Sequence, residues 1–239
     1  MNRKKIFFAL CLMAAMIMVA SSVSAAEKIN TDPKQQLPDP DTKPPVTDKP
    51  VKVFILMGQS NMLDFGRIDP EDKNGTLSHL VKQQQEYPHL VDDAGNWTER
   101  KDVRSVQVMD TRGAGLTELT TFRDVKNEWL TVKKGHIGPE LQFGHIMGHL
   151  VDGPVLILQA CIGNRSLGWD LLPPGSERFT YEGRIYAGYK NTPSSWVEGE
   201  PKKKVNWYAG RQYDADTGHA KKVLKNLEKY YPGYKGQGY

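Results

Sequence analysis

Val51-Lys52-Val53-Phe54-Ile55-Leu56-Met57-Gly58-Gln59-Ser60-Asn61-Met62 decides the reading of this chain. A short apolar run of this kind is usually a buried strand, and here it breaks sharply at a glycine. A serine on the turn at the carboxyl end of a central strand sits where open α/β sheets bind their ligands. The turn lifts the hydroxyl above the sheet, and the backbone N–H groups around it are placed to hold a developing oxyanion. Ser60 is therefore the candidate nucleophile of an α/β domain.

Working outward, Gly138-Pro139-Glu140 opens a helix that runs to about Leu150. Proline suits the first helical position, and glutamate favours the positive end of the helix dipole. Gly153-Pro154 then starts a second buried strand, Val155-Leu156-Ile157-Leu158, which ends in Ala160-Cys161-Ile162-Gly163-Asn164. Val103–Met109 and Trp129–Lys133 read as short, half-exposed strands, paired as a hairpin beside the site. A short helix is expected around Ser78–Tyr87. Residues 168–214 are loop-rich and aromatic, suited either to stacking on sugar faces or to a small local core. Ala220, Val223, Leu224, Leu227, Tyr230 and Tyr231 recur at helical spacing, with Asp216 or Thr217 as N-cap and Pro232-Gly233 as the stop. Only two strands read as convincingly buried, where a doubly wound sheet has about five. The expectation is a sheet incomplete at its carboxyl end.

The first 25 residues read as a secretory signal peptide. Arg3, Lys4 and Lys5 precede an apolar core from Ile6 to Ala20, and Val23-Ser24-Ala25 is a small-residue cleavage site. No later segment approaches the ~20 apolar residues of a membrane span. The whole chain carries a net charge of +4. Three basic and no acidic residues leave with the signal, so the mature chain is near neutral and calls for no nucleic-acid partner. Cys161 is then the only cysteine, and the fold has no internal disulfide. Residues 26–50 form a linker in which Pro33, Pro38, Pro40, Pro44, Pro45 and Pro50 alternate with polar residues. The folded domain is expected over 51–239, in an exported protein that is periplasmic or extracellular.

Three blocks carry a resemblance. Phe54–Met62 resembles the nucleophile block of the SGNH (GDSL-like) hydrolases, specifically the branch of sialate O-acetylesterases and acetylxylan esterases, where Gly-Gln-Ser-Asn replaces Gly-Asp-Ser-Leu. Ile137–Gly144 is similar to the Gly-Pro-Glu helix start of that branch, and Val155–Leu167 with Trp169 to its second block. The resemblance implies a three-layer α/β/α sandwich of flavodoxin-like type with a mostly parallel sheet. It implies acyl transfer to Ser60 and hydrolysis of acetyl esters on sialic acid or a plant polysaccharide, with no metal or organic cofactor. The implied oxyanion donors are the N–H groups of Ser60 and Gly163. Asn164 stands where a second glycine is common, which leaves open which N–H points inward.

The branch continues with a Gln-Gly-Glu-like block and a late Asp-x-x-His that supplies the base. No Gln-Gly-Glu occurs here, and the one Asp-x-x-His is Asp216-Thr217-Gly218-His219. That pair is either the base or a helix start. If it is not the base, the chain is a truncated member that at most binds glycans. Asn164-Arg165-Ser166-Leu167-Gly168 narrowly misses Gly-x-Ser-x-Gly, and a side chain at the first position would crowd the elbow. Arg165 is expected at the surface or in an ion pair, and Asn61 to fix its turn by side-chain bonds. His145 and His149 have metal-ligand spacing but lack the zincin glutamate, so a solvated helix face is expected. Arg112-Gly113-Ala114-Gly115 and Lys202-Lys203-Lys204 read as a loop and a solvated surface run.

Overall fold

The computed structural model describes residues 32–37, 47–109, 123–133 and 135–239. The signal peptide read at 1–25, most of the linker and the glycine loop at Arg112–Gly115 lie outside the described residues. The chain divides into two compact units, Met1–Gln35 and Gln36–Tyr239. In the first, the described residues form a turn in which the Gln35 N–H donates to the Asp32 carbonyl at 3.0 Å.

The second unit is α/β with a mixed, mostly parallel sheet. Its elements are β1 (Lys52–Gly58), β2 (Gly66–Arg67), β3 (Glu99–Met109), β4 (Arg123–Thr131), β5 (His136–Ile137), α1 (Glu140–Leu150), β6 (Val155–Cys161), β7 (Phe179–Tyr181), β8 (Arg184–Tyr186), β9 (Ser195–Val197), α2 (Arg211–Leu224) and α3 (Leu227–Tyr230). The main sheet has the order β1-β6-β3-β4. β1, β6 and β3 run parallel, and β4 pairs antiparallel with β3. β2 pairs with β5, and β7-β8-β9 form a separate antiparallel sheet. A turn of π-helix at His79–Gln83 stands where the short helix was expected. Among the described residues, no helix is long and apolar enough to cross a membrane.

Side chains alternate across a strand, so one strand feeds two cores. Leu156, Leu158 and Ala160 of β6 join Val106 and Val108 of β3 and Ala220 and Val223 of α2 in one cluster. Val155 and Ile157 enter the other, with Val103 of β3 and Leu141 of α1. All seven residues of β6 are buried, as a parallel strand covered on both faces requires. β1, expected as a buried central strand, is instead half-exposed at the end of the sheet order, with only Gly58 of its seven residues buried. Among the described residues it pairs with β6 alone, and Ile55 remains 43% exposed. The Lys52 N–H donates to Pro154 on the β6 side, whereas the Val51 N–H points the other way and donates to Gly238.

Two further expectations are corrected. β3 is not a half-exposed strand but an interior one, buried from Asp102 to Val108. Its Arg100, Asp102, Arg104, Ser105 and Gln107 look like surface residues in sequence but are buried. Most are matched by polar partners: Arg100 with Asp102, Arg104 with Asn127 and the Tyr230 carbonyl, and Gln107 with the Met62 carbonyl. The last long helix begins at Arg211, so Asp216 and Thr217 are interior positions rather than N-caps. Gly210 sets the start. Its φ is +86°, and a Cβ there would lie 2.4 Å from both the Leu172 carbonyl oxygen and the Tyr189 ring. Thr217 donates back to the Tyr213 carbonyl at 2.7 Å, a bond that lets a hydroxyl sit inside a helix.

Candidate active site

Ser60 opens a 3₁₀ turn, Ser60–Leu63, directly after β1. The turn closes through the Met62 N–H to the Gln59 carbonyl at 2.9 Å, and Asp64 leaves it in the left-handed region with φ 63°. Gly58 is required by close approach, since a Cβ there would lie 2.5 Å from Met62 Cγ. The Ser60 hydroxyl donates to Gln59 Oε1 at 2.8 Å. Asn61 is exposed, and its side chain makes no hydrogen bond among the described residues. The turn is held from behind instead.

The Met62 carbonyl accepts three donors from the interior strands. They are Gln107 Nε2 at 3.1 Å, Gln159 Nε2 at 3.0 Å and Cys161 Sγ at 3.3 Å. Gln159 also donates to Glu140 Oε2 at 3.1 Å and to Asp64 Oδ1 at 3.3 Å. Lys126 bridges the two carboxylates, at 2.9 Å from Asp64 and 3.1 Å from Glu140. Burial pushes the Glu140 carboxyl above its ordinary range; Lys126 opposes the shift and Asp64 adds to it. Burial also raises the Cys161 thiol, with Asp216 the next contributor, so the sulfur keeps the proton it donates. This network is not evident in sequence. Its one legible signal is Gln159, a polar residue inside Val155–Cys161.

The loop after β6 lies alongside. The Ile162 N–H approaches the Gly58 carbonyl at 3.4 Å, and a Cβ on Gly163 would lie 3.2 Å from Leu63. Asn164 has φ 58°, a backbone state that suits glycine and that asparagine tolerates. Among the described residues, no hydrogen bond engages the N–H of Ser60, Gly163 or Asn164. Three free donors thus sit on two adjoining loops at the strand ends. Ser166 is exposed, and its N–H donates to Asp170 Oδ2 at 2.7 Å, so it forms a loop rather than an elbow.

Asp216 and His219 are both fully buried on α2. Gln212 Nε2 donates to the Gly58 carbonyl and to Asp216 Oδ2, the latter at 3.0 Å, which fixes the start of α2 against the end of β1. His219 follows Gln212 by seven residues, about 10 Å further along the helix at 1.5 Å per residue. Neither Asp216 nor His219 bonds to the Ser60 hydroxyl.

His145 is not on a solvated face. It is 1% exposed, with its ring centroid 5.0 Å from that of His89. His149 is half-buried. Among the described residues, no group of three His, Cys, Asp or Glu side chains is arranged to hold a metal. The aromatic segment divides. Trp196, with Trp169 and Ile185 packed around it, joins Ala187 and Ala209 in a local core, while Phe179 and Tyr181 stay more than half exposed. Comparison with protein-family models, with curated proteins and with solved structures found no match.

Proposed function

We propose that this chain is an exported carbohydrate O-acetylesterase of the SGNH type, a three-layer α/β/α domain with Ser60 as its nucleophile. One observation carries the reading: Ser60 opens a tight turn at the end of a parallel strand, and among the described residues its own N–H and those of Gly163 and Asn164 on the adjoining loop have no hydrogen-bond partner. In this reaction Ser60 Oγ attacks the acetyl carbonyl carbon and its proton passes to a base. The carbonyl oxygen becomes an oxyanion held by those N–H groups. The carbon–oxygen bond to the sugar then breaks and the sugar hydroxyl leaves protonated. Water hydrolyses the acetyl-serine to acetate and restores Ser60. No step calls for a metal or organic cofactor.

A second reading is favoured by the hydroxyl's bond to Gln59 and the depth of His219: this chain lacks its own base. The two readings combine into one expected result. Against a chromogenic acetate ester the chain shows only slow hydrolysis, Ser60→Ala lowers it to background, and His219→Ala leaves it unchanged. Loss of a triad member costs several orders of magnitude, so the slow rate is itself diagnostic. Fast turnover abolished by His219→Ala would instead make His219 the base, and turnover indifferent to Ser60→Ala would remove the nucleophile.

A further inference from the structure

The loop that leads into β3 closes through a bridge between Val91 and Trp97 and walls a cavity of about 320 Å³. That volume is in the range of small-ligand pockets. His89, Val91, Asp92, Asp93, Ala94 and Thr98 are among the residues that line it. Thr98 directly precedes Glu99, where β3 starts, whereas Ser60 stands past the end of β1. β1, β6 and β3 run parallel, so the cavity and the serine sit at opposite ends of the sheet.

The cavity gathers acceptors that lack donors. Gln142 Oε1 accepts from His89 Nε2 at 2.9 Å, so the ring proton sits on Nε2 and Nδ1 is a bare lone pair. His89 is 3% exposed, and its Nδ1 is buried without a partner. A buried acceptor of that kind is costly and calls for a donor. Burial holds the ring below its ordinary value, the Gln142 bond opposes that and Arg100 adds to it, so the ring is neutral at pH 7. The Asp92 carboxylate is folded over its own turn. Oδ1 accepts the N–H groups of Ala94 at 2.9 Å and Asn96 at 2.8 Å, and Oδ2 accepts Asn96 Nδ2 at 3.2 Å. These bonds, that of the Asn96 N–H foremost, hold Asp92 below the usual carboxylate range and so ionised. Asp93 beside it is exposed and makes no hydrogen bond or ion pair among the described residues.

We propose that this cavity binds a small organic cation bearing N–H donors, an ammonium or a guanidinium. Asp92 and Asp93 supply the opposing charge, and His89 Nδ1 supplies the acceptor inside. A primary ammonium carries three donors and no acceptor, which matches three acceptors of this kind. Val91 and Ala94 give a short hydrocarbon stem an apolar wall. Among the described residues no three side chains are arranged to hold a metal ion, so the site calls for N–H donors instead. The proposal does not depend on the role of Ser60.

The full chain is titrated calorimetrically at pH 7 with n-butylamine, n-butylguanidine, tetramethylammonium and 1-butanol. One or both of the N–H cations should bind at least about tenfold more tightly than tetramethylammonium, which has the charge without the donors, and than butanol, which has the stem without the charge. The tighter of the two identifies the headgroup. Asp93→Asn should weaken that binding several-fold, and Ala94→Phe, which fills the cavity, should abolish it. Both positions are exposed, so these variants keep the test sound even where His89→Phe fails to fold. A folded His89→Phe should lose the preference for N–H cations over tetramethylammonium. During the titration the His89 Nδ1 nitrogen resonance should move while the amides of Gly163 and Asn164 stay in place. No binding of either N–H cation, tetramethylammonium binding as tightly, zinc or calcium binding more tightly than the amine, binding indifferent to Asp93→Asn and Ala94→Phe, or an unmoved Nδ1 resonance would each overturn the proposal.

Discussion

Arg100→Ala should destabilise the domain by about 3–5 kcal/mol, the usual result of stripping one partner from a buried ion pair. The Arg100 and Asp102 side chains are 3% and 0% exposed. The pair is bidentate, with Nε to Oδ1 at 3.0 Å and one terminal nitrogen to Oδ2 at 2.7 Å. The other terminal nitrogen donates to the His145 carbonyl at 3.2 Å, which ties β3 to α1. Alanine would leave the Asp102 carboxylate inside the protein without its counter-charge. Replacing both residues together, as Arg100→Leu with Asp102→Ala, should recover much of the loss, because no lone charge then stays buried. Urea midpoints at constant m-value measure both variants. A loss under about 1 kcal/mol for Arg100→Ala would mean that the carboxylate finds other relief.

The same corner of the fold should make the protein sensitive to acid. Burial is the largest influence on both His89 and His145, and it holds each below the ordinary imidazole value of 6.5. Arg100 lowers both further, His89 lowers His145, and the Gln142 bond to His89 at 2.9 Å works the other way. The unfolded chain therefore takes up protons that the folded chain refuses. Stability is fully present above pH 6.5 and is lost as pH falls from there towards the folded values. Every tenfold by which folding weakens a ring's hold on its proton corresponds to about 1.4 kcal/mol. The urea midpoint should be level between pH 8 and 7, then drop by pH 5. His145→Phe, which cannot be protonated, should remove most of that drop. An unchanged pH slope in the variant would assign the acid sensitivity to other groups.

The positions of β1, β6 and α1 are legible in sequence because each carries a local signature, a short apolar run or a glycine-proline-glutamate start, but the run does not say how many strands flank it, and β1 proves half-exposed. Ser60 is legible for the same reason, as the residue at which a strand breaks. β3 misleads because its interior is polar. Sequence shows Arg100 and Asp102 but not that they neutralise each other. His145 misleads because helical spacing says which residues share a face, not which face is covered; the cover comes from His89, 56 positions earlier. The start of α2 lies earlier than its pattern suggests because Asp216 and Thr217 imitate a cap, while the real boundary depends on the backbone of Leu172. The network behind Ser60 draws Gln107, Lys126, Glu140 and Gln159 from four separate elements, and no local pattern announces such a meeting.

Among the described residues β1 is paired on one side only, which separates the rigidity of Ser60 from that of the strand that carries it. Along β1, amides at even positions face β6 and those at odd positions face the open side, so Val53 and Ile55 should exchange with deuterium faster than Phe54 and Leu56. Fraying of that edge need not reach the serine. The turn beyond it hangs from Gln107, Gln159 and Cys161 on the enclosed strands, as a bracket is fixed to the wall rather than to the shelf. Equal exchange at all four amides would show that the edge is covered in solution.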